Sequence, residues 1–494
     1  MNRYYPDKEE FIRRAKMGNM TPLYKEILAD TETPVSAFKK IAEDDYCFLL
    51  ESVEGGERLA RFSFLGSGTN LVIKSKCSEV EVIRAGISEK TTLEPGRDVL
   101  HLLKDELESL NYVADENLPR FCGGAVGFLS YDLVRFFMDL PDSTVDDMNL
   151  PDCTLIFTDT LLIFDHVKHR IRVVCNARID GDPEGAYDKA IERIEELASR
   201  LRRPVEMNFG KRDAAPLEVK SNFTKDEYEK MVLKCKEYID AGEIVQVVPS
   251  QRFSTKVTAD AFDIYRSLRS LNPSPYMYFL RYQDVTLVGS SPEILVTDEK
   301  GKVTVRPIAG TRKRGRDIAE DRALEEELLG DAKEKSEHMM LVDLGEYDLA
   351  RVCEPDTINV DELMVIERYS HVMHIVSSIS GRLRKDQDQF EVLRATFPAG
   401  TVSGAPKKRA LEIIDEVEPT RRGPYAGAIG YFSYSGDMDA CITIRTILLK
   451  DGTAYVQAGG GVVADSVPEK EYQETVNKAM GMIKALSSAE EGLE

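Results

Sequence analysis

Short runs of β-branched, aromatic and other apolar residues recur along the chain, with longer segments of helical periodicity between them. In the N-terminal portion these runs are YCFLLESV, NLVIKSK, EVEVIRAG, TLLIFDHV and RIRVVCNA, whereas Asp98 to Leu110 carries apolar residues at helical spacing. This mixture predicts an α/β fold with mostly antiparallel strands.

A second change of pattern divides the chain near residue 210. A charged helix is predicted from Pro183 to about Leu201, and it is followed by RRPVEMNFGKRDAAPLEVKSN, a polar stretch with two prolines and no clear periodicity. Such a stretch is typical of a linker, and a length of 494 residues is ample for two domains. We therefore predict domains at residues 1–210 and 211–494.

Beyond residue 210 the helical and strand patterns continue. FTKDEYEKMVLKCKEYIDAGE predicts an amphipathic helix that ends at Gly242, and IVQVVPSQRFS predicts a strand. VTLVGSSPEILVTDEKGKVTVRPIAG predicts paired strands joined by a D-E-K-G turn. The tail, SSAEEGLE, is expected to be frayed.

Charge and cysteine usage exclude several classes of function. The chain has 65 Lys and Arg against 86 Asp and Glu, a net charge of -21, which repels nucleic acids and anionic membrane surfaces. No apolar run approaches the roughly 20 residues of a membrane span, and the eight cysteines form no C-x-x-C pair. We expect a cytoplasmic protein with neither nucleic-acid nor membrane partners, and an anionic substrate would require local cations.

Two E-x-x-E pairs are the first candidates for chemistry. Glu334 and Glu337 form one pair, and Glu471 and Glu474 form the other. Spacing of three places both carboxylates on one helix face, and two facing pairs could hold a hard cation such as Mg²⁺. The second helix is predicted to start with Ser466 as its N-cap and Glu469 completing a capping box. An isolated pair in so acidic a chain is more typical of a solvated face, but Glu337 leads directly into an apolar turn.

Other candidates are weaker when each is taken alone. His374 could be a general base, but one histidine in an apolar strand is more often a core residue. Arg445, in CITIRTILL, is a charge within an apolar strand and could bind a substrate carboxylate. The glycine-rich stretches near Gly123, Gly400 and Gly460 are more often tight turns than anion sites, and none matches a nucleotide-binding fingerprint.

Read together, these segments resemble the chorismate-utilising enzymes over nearly the whole chain. The motifs that carry the resemblance are GEIVQVVPSQRF, SPEILV, RPIAGTRKRG, SEHMMLVDL, ERYSHVMHIVS, FPAGTVSGAPK, GPYAGAIGY, ITIRT and PEKEYQETVNKA. The resemblance implies two domains with large, mostly antiparallel sheets, of which the C-terminal one is a layered αββα sandwich that binds chorismate. It also implies amination of chorismate at C2 and elimination of pyruvate, giving anthranilate.

The resemblance also implies roles for individual residues. Glu337 and Glu474 would bind Mg²⁺, with Glu334 and Glu471 acting through water, and the metal would hold the ring carboxylate. Glu293 would be the general acid and His374 would serve pyruvate elimination. The implied substrate contacts are Thr401, Tyr425, Arg445, Gly461 and Lys478.

Two positions discriminate among members of the family. Members that add water carry lysine where this chain has Gln246, because activating water requires a base whereas ammonia does not. Members that form aminodeoxychorismate carry a possible lysine nucleophile where this chain has Ala309. Formation of aminodeoxychorismate stays open as an alternative reaction, as does a catalytically silent protein that binds chorismate or tryptophan for regulation.

The resemblance further implies a regulator and a partner. Leu50, Glu51 and Ser52 belong to an LLES motif, and Pro275, Tyr276 and Met277 belong to NPSPYMYF; in the family these two motifs form a site for inhibition by L-tryptophan. Taken alone, four residues such as LLES are more often simply a strand end. No cysteine lies in a nucleophile elbow, so ammonia derived from glutamine would require a separate glutamine amidotransferase subunit.

Overall fold

The computed structural model describes residues 3–53, 61–205, 210, 214–369 and 372–493. The helices in this part of the chain are α1 Lys8–Arg14, α2 Pro34–Ile41, α3 Val99–Glu108, α4 Val134–Phe137, α5 Pro183–Arg200, α6 Lys225–Asp240, α7 Ala261–Leu271, α8 Ile318–Gly330, α9 Ala332–Ala350, α10 Gln389–Thr396, α11 Lys407–Val417 and α12 Pro468–Glu491. Short 3-10 helices occur at Tyr131–Leu133, Pro355–Thr357 and Gly400–Val402.

The strands of the same residues are short, as their apolar runs predict. They are β1 Tyr4–Tyr5, β2 Met20–Leu28, β3 Tyr46–Glu51, β4 Phe62–Ser67, β5 Leu71–Lys76, β6 Glu79–Arg84, β7 Ile87–Thr92, β8 Gly124–Leu129, β9 Cys153–Thr158, β10 Thr160–Asp165, β11 Arg170–Arg178, β12 Lys220–Ser221, β13 Gln246–Val247, β14 Ser250–Lys256, β15 Tyr276–Tyr282, β16 Val285–Ser291, β17 Ile294–Glu299, β18 Lys302–Val305, β19 Ile308–Lys313, β20 Asn359–Arg368, β21 Val372–Arg382, β22 Gly404–Ala405, β23 Ala428–Ser433, β24 Met438–Ile442, β25 Thr446–Lys450 and β26 Thr453–Gly459.

Most strands belong to two large sheets. The first sheet has the order β1-β2-β11-β10-β4-β3-β15-β16-β25-β26-β14-β12. The second sheet has the order β19-β21-β18-β17-β24-β23-β8-β9-β5-β6-β7, with β20 added against β21. The neighbouring strands pair antiparallel throughout. The predicted α/β class with large antiparallel sheets is therefore confirmed.

The hydrophobic cores define four layers. An aromatic-rich core that includes Phe48, Phe128 and Tyr278 contains buried residues of both sheets. A second core joins the first sheet to helices α1, α2, α5, α7 and α12, and a third joins the second sheet to helices that include α3, α6 and α9 to α11. Burying each sheet on both faces explains why so many strands are continuously apolar.

Strands from both sides of residue 210 are hydrogen-bonded into the same sheets. In the first sheet β3 pairs with β15, and in the second sheet β8 pairs with β23. The layered arrangement therefore includes strands of both segments. The boundary at residue 210 stays a prediction, and residues 206–209 and 211–213 of the expected linker lie outside the described residues.

The predicted helices α3, α5 and α6 are all present. Helix α6 begins with a capping box between Thr224 and Glu227, and Gly242 follows its end with φ +75°, a conformation that favours glycine. The expectation of a frayed tail was wrong, because α12 continues to Glu491. Near its end the carboxylate of Glu490 accepts hydrogen bonds from the backbone of Thr258 and Ala259.

The predicted start of α12 was wrong by one residue. Val467 occupies the N-cap position, because Pro468 takes the first helical position directly after it. The Val467 side chain makes no capping hydrogen bond. The Ser466 hydroxyl instead accepts a hydrogen bond from the Val463 backbone at 3.1 Å.

All eight cysteines are free thiols, and all except Cys77 are buried. Among the helices of the described residues, none is both long and apolar enough to span a membrane.

Candidate active site

Two predicted site residues lie where the chain passes from one large sheet to the other. Glu293 lies between β16 of the first sheet and β17 of the second, and Arg445 lies between β24 of the second sheet and β25 of the first. The prediction that Arg445 lies within a strand was therefore wrong. Its φ of +51° is outside the extended region, so the strand is interrupted at Arg445.

Glu293 is a buried carboxyl group. Its side chain is among the buried polar residues, with 6% exposure, and burial raises its pKa to about 8. The Thr401 hydroxyl, the Ile308 backbone and the Lys478 ammonium lower the pKa, but they offset the burial only in part. Glu293 therefore carries a proton at neutral pH, as a general acid must.

The Lys478 ammonium lies near enough to this carboxyl group to lower its pKa, and Lys478 is linked to Arg445. The Arg445 guanidinium donates a hydrogen bond to the Lys478 carbonyl at 2.8 Å. The Lys478 ammonium donates to the Gly459 carbonyl at 2.9 Å and forms an ion pair with Glu474 at 2.7 Å. Burial lowers the pKa of Arg445, which remains a cation because its ordinary value is so high. The strongly acidic chain thus forms a local basic site suited to an anion.

Tyr425 borders the same group of cations. Burial raises its pKa to about 12, so the phenol keeps its proton. A Cβ atom added to Gly459 would lie 2.8 Å from the Tyr425 hydroxyl, so glycine is needed for this close approach. The hydroxyl is therefore a neutral hydrogen-bond donor next to two cations.

Gln246 and Gly461 are in direct contact. A Cβ atom on Gly461 would lie 2.6 Å from Nε2 of Gln246, so only glycine leaves space for the amide. Gln246 has 9% exposure, and its Oε1 atom is buried without a hydrogen-bond partner. A buried acceptor without a partner is costly unless a ligand supplies the missing donor.

His374 lies on β21, as the apolar run predicts. Its Nδ1 atom lies 3.0 Å from the Thr311 hydroxyl and 3.3 Å from the Gly310 carbonyl. The carbonyl can only accept, which assigns the proton to Nδ1 and leaves Nε2 as the basic nitrogen. Burial lowers the pKa of His374, and Arg445 lowers it further, so the imidazole is neutral at pH 7.

The first pair of glutamates lies in the first two turns of α9. Glu334 accepts a hydrogen bond from the Arg312 guanidinium at 3.1 Å, and Lys333 lies 3.9 Å from Glu337. Burial raises the pKa of Glu337, and the neighbouring carboxylates of Glu334, Asp465 and Glu471 raise it further. Glu337 on α9 is therefore close enough to Glu471 on α12 to interact electrostatically.

The second pair lies in the first two turns of α12. Glu471 has 9% exposure, and its Oε2 atom is buried without a hydrogen-bond partner. A Cβ atom on Gly460 would lie 3.1 Å from this oxygen, so the glycine leaves the carboxylate room. Burial raises the pKa of Glu471, and Glu474 raises it further.

The donor set of these helices suits a divalent cation. Within the described residues, no three His, Cys, Asp or Glu side chains already form a metal-binding group. The mutual repulsion of buried carboxylates and the unpartnered Oε2 atom of Glu471 nevertheless leave negative charge and an acceptor unsatisfied. A hard cation with oxygen ligands and waters of its own would satisfy both.

All six residues predicted to bind tryptophan line one cavity, whose lining includes none of the predicted chorismate-site residues. Its volume is about 880 Å³, and its lining includes Leu50, Glu51, Ser52, Pro275, Tyr276 and Met277. The two motifs come together because β3 pairs with β15 in the first sheet. Glu51 is held in place by Arg269, whose Nε donates to it at 3.0 Å, and by the Tyr265 hydroxyl.

Three residues near the candidate active site were missed in the sequence. Lys333 forms an ion pair with Asp465 at 3.0 Å and joins the start of α9 to the segment before α12. The buried Ser291 hydroxyl donates a hydrogen bond to the Ile442 carbonyl where the chain crosses between the two sheets. Lys333 is four residues from Glu337, which is a signal for an ion pair, and Ser291 begins the SPEILV motif, but no local pattern predicts the contacts of Asp465 or Ser291.

Comparison with known proteins supplies an independent line of evidence. The model of the chorismate binding enzyme family matches residues 46–484. Anthranilate synthase component 1 from Acetivibrio thermocellus is 48% identical over 99% of this chain and 99% of its own length. The corresponding protein of Aquifex aeolicus is 46% identical, covering 98% of each chain. The crystal structure of anthranilate synthase component I from Streptococcus pneumoniae TIGR4 is 37% identical, with a TM-score of 0.76 over 92% of this chain and 99% of that one.

Proposed function

Because this chain belongs to the chorismate binding enzyme family, we propose that it catalyses amination of chorismate at C2 and elimination of pyruvate to form anthranilate. Chorismate and ammonia are consumed, and anthranilate, pyruvate and water are released. The observation that carries this proposal is the protonated carboxyl group of Glu293 near Lys478, to whose carbonyl Arg445 donates a hydrogen bond. The reaction is the first committed step towards tryptophan, and chorismate is a soluble metabolite, so the enzyme acts in the cytoplasm.

In the first step the leaving hydroxyl group at C4 receives a proton. Glu293 supplies it, because burial raises its pKa to about 8 and keeps the acid form at neutral pH. Thr401 contacts the same carboxyl group and the substrate. The nitrogen of ammonia bonds to C2 as the ring double bonds shift and the C4 oxygen departs as water, and the nitrogen then loses a proton, which restores the acid form of Glu293.

The substrate's two carboxylates are held by different groups. Arg445, Tyr425 and the Gly461 backbone bind the enolpyruvyl carboxylate, since a guanidinium and a phenol donate to carboxylate oxygens. Lys478 lies beside the ring carboxylate. Glu337 and Glu474 would hold Mg²⁺, and Glu334 and Glu471 would act through water. When bound, the ion neutralises these acids and orients the ring carboxylate as a Lewis acid.

In the second step the ring becomes aromatic. The neutral imidazole of His374 accepts the C2 proton through Nε2 as the C3–O bond breaks, and the enolate that departs takes up that proton to become pyruvate. Its lowered pKa keeps His374 in the basic form at neutral pH. Formation of the aromatic ring provides the driving force.

Gln246 and Ala309 set the choice of nucleophile. The unpartnered Oε1 atom of Gln246 accepts a hydrogen bond from ammonia and, unlike a lysine, cannot act as the base that activates water. Ala309 lies on β19 and cannot form a covalent adduct with the substrate. Ammonia comes from a glutamine amidotransferase subunit that docks on this chain.

L-tryptophan inhibits the enzyme from the 880 Å³ cavity that Leu50 and Tyr276 border. In this scheme residues 1–210 supply regulatory elements and residues 211–494 supply the chorismate site. The two sites are separate, so inhibition acts through a coupling free energy between them. Because this coupling is reciprocal, tryptophan and chorismate weaken each other's binding, typically by about 1 to 3 kcal/mol.

The test uses the purified chain with chorismate, Mg²⁺ and ammonium. We expect a fluorescent product identical to anthranilate, formed with an equal amount of pyruvate and lost when Mg²⁺ is chelated. Formation of aminodeoxychorismate without pyruvate would replace this reaction by the alternative one. Absence of any product, with chorismate still bound, would indicate a silent binding protein.

A further inference from the structure

The two passages of the chain between the large sheets lie side by side. Residues 292–293 connect β16 of the first sheet to β17 of the second, and residues 443–445 connect β24 of the second sheet to β25 of the first. Glu293 belongs to one passage and Arg445 to the other. The distance between acid and cation therefore depends on how the two sheets are held at this point.

A hydrogen bond from Ser291 links the two passages of the chain. Its side chain is fully buried, and its hydroxyl donates a 2.6 Å hydrogen bond to the carbonyl of Ile442. The Ile442 backbone N–H donates in return to the Glu293 carbonyl at 3.0 Å. The neighbouring Ser290 backbone donates to the Arg445 carbonyl at 3.1 Å. Both functional residues are thus tied, by main chain, to the contact that Ser291 makes.

The same strands reach the large cavity that Leu50 borders. Tyr276, at the start of β15, pairs in the first sheet with Ser291. The Tyr276 hydroxyl donates to Asp439 of β24 at 2.8 Å, and both residues line the cavity. Asp439 lies three residues before Ile442 on β24. Strand β24 is therefore joined to the first sheet twice, through Tyr276 of β15 and Asp439 at the cavity and through Ser291 of β16 and Ile442 at the crossing.

We propose that Ser291 is a positioning residue that aligns Glu293 with Arg445 and couples the cavity to the candidate active site. This inference rests on the proposed function. A ligand in the cavity that moves Tyr276 or Asp439 shifts β16 relative to β24, and the Ser291 hydrogen bond transmits that shift to the main chain of Glu293. Packed sheets move between discrete arrangements, so a small displacement at one end changes the alignment at the other.

Two variants and one control test this role. Ser291→Ala removes the hydroxyl, and Ser291→Cys keeps the volume but leaves only a weak donor. Ile442 remains satisfied in both, because its carbonyl also accepts from the Ile444 backbone at 2.9 Å, so both chains should fold. Ser380→Ala is the control, since Ser380 is also a buried strand serine and donates to Asp361 at 2.7 Å, away from both sites.

The first measurement separates turnover from substrate binding, with ammonium as the nitrogen source. We expect kcat to fall roughly 10- to 100-fold in Ser291→Ala and Ser291→Cys, because small misalignments of reacting groups cost that much, while KM changes little. The control should keep the wild-type kcat.

The second measurement is the coupling between the sites. The chain contains no Trp, so the emission of added L-tryptophan reports its binding directly. Its Kd is measured with and without saturating chorismate, with no nitrogen source present, so that anthranilate is not formed. In the wild type chorismate should weaken tryptophan binding by about 5- to 150-fold, and in both Ser291 variants the ratio should fall close to unity.

A kcat and a coupling ratio equal to those of Ser380→Ala in both variants would overturn the inference. A reduced kcat with the wild-type coupling ratio would overturn the coupling role. Failure of the proposed function is recognised separately, because the wild-type chain would then form no anthranilate.

Discussion

Lys333 of α9 and Asp465, just before α12, form a 3.0 Å ion pair that joins the two acidic helices. Across this contact Glu337 and Glu471 each have a raised pKa, because Glu337 is half-buried, Glu471 is buried, and each lies near other carboxylates. The three cations Lys333, Arg312 and Lys478 face five carboxylates, which are Glu334, Glu337, Asp465, Glu471 and Glu474. The site thus has an excess of negative charge that the proposed Mg²⁺ would balance.

Replacing Glu474 by Gln should weaken Mg²⁺ binding by at least about 10-fold, because a neutral amide is a poorer ligand for a hard cation. The measurement is a calorimetric titration of the chain with Mg²⁺, without substrate. Glu469→Gln is the matched control, since Glu469 lies on the same helix but is exposed and paired with Lys225. Equal affinities in the two variants would remove Glu474 from the metal site.

Replacing Glu471 by Gln should stabilise the metal-free protein at neutral pH. Burial and the adjacent Glu474 raise the pKa of Glu471 above 4.5, so its ionised form destabilises the folded state as pH rises through the folded pKa. Thermal unfolding should show the variant melting a few degrees higher at pH 7. Below pH 4.5 the difference should disappear, because the carboxyl group is then neutral in both states. A variant that melts lower at pH 7 would contradict the repulsion.

The buried ion pair of Glu418 and Arg422 lies beside Tyr425 of the candidate active site. Their side chains are 3% and 1% exposed, and the Arg422 guanidinium lies 5.5 Å from the centre of the Tyr425 ring. Glu418→Ala should lower the free energy of unfolding by about 3 to 5 kcal/mol, since it leaves a buried cation unpaired. Glu412→Ala removes a more exposed pair with Arg409 and should cost below about 1 kcal/mol. Equal losses in denaturant titrations would contradict this reasoning.

Leu50 contributes an apolar wall to the 880 Å³ cavity. Leu50→Ala should weaken L-tryptophan binding about 10-fold, because truncation removes apolar contact area worth about 1 to 2 kcal/mol. Binding is followed by the emission of the ligand. Leu363→Ala, at an exposed leucine of β20, should bind as the wild type does. If Leu50→Ala retained the wild-type affinity, tryptophan would bind elsewhere.

Much of the fold could be predicted because its signals are local. Apolar runs predicted strands in both sheets, such as β3 and β5, and amphipathic periodicity predicted α6 and its end before Gly242. The E-x-x-E pairs could be placed on helix faces, because spacing of three is enough to do so.

What could not be predicted depends on contacts between distant segments. The apolar neighbours of Arg445 predict a strand. In the structure the chain crosses from one sheet to the other at this point, and Arg445 has a positive φ. Ser291 and Ile442 are 151 residues apart, so no periodicity relates them. The hydrogen bonds that order Glu490 come from residues more than 200 positions away, and the sequence of the tail gives no sign of them.

The most direct test of the central claim is the pH dependence of kcat/KM for chorismate, with nitrogen supplied at a constant concentration of free ammonia. Glu293 must be protonated to act as the acid, and its pKa is raised to about 8, so the wild type should lose activity as pH rises through that value. Glu293→Gln should lose roughly 100- to 10,000-fold of kcat and no longer show this decline. A wild-type profile that stays flat from pH 7 to well above 8, or a Glu293→Gln variant with wild-type turnover, would contradict the account.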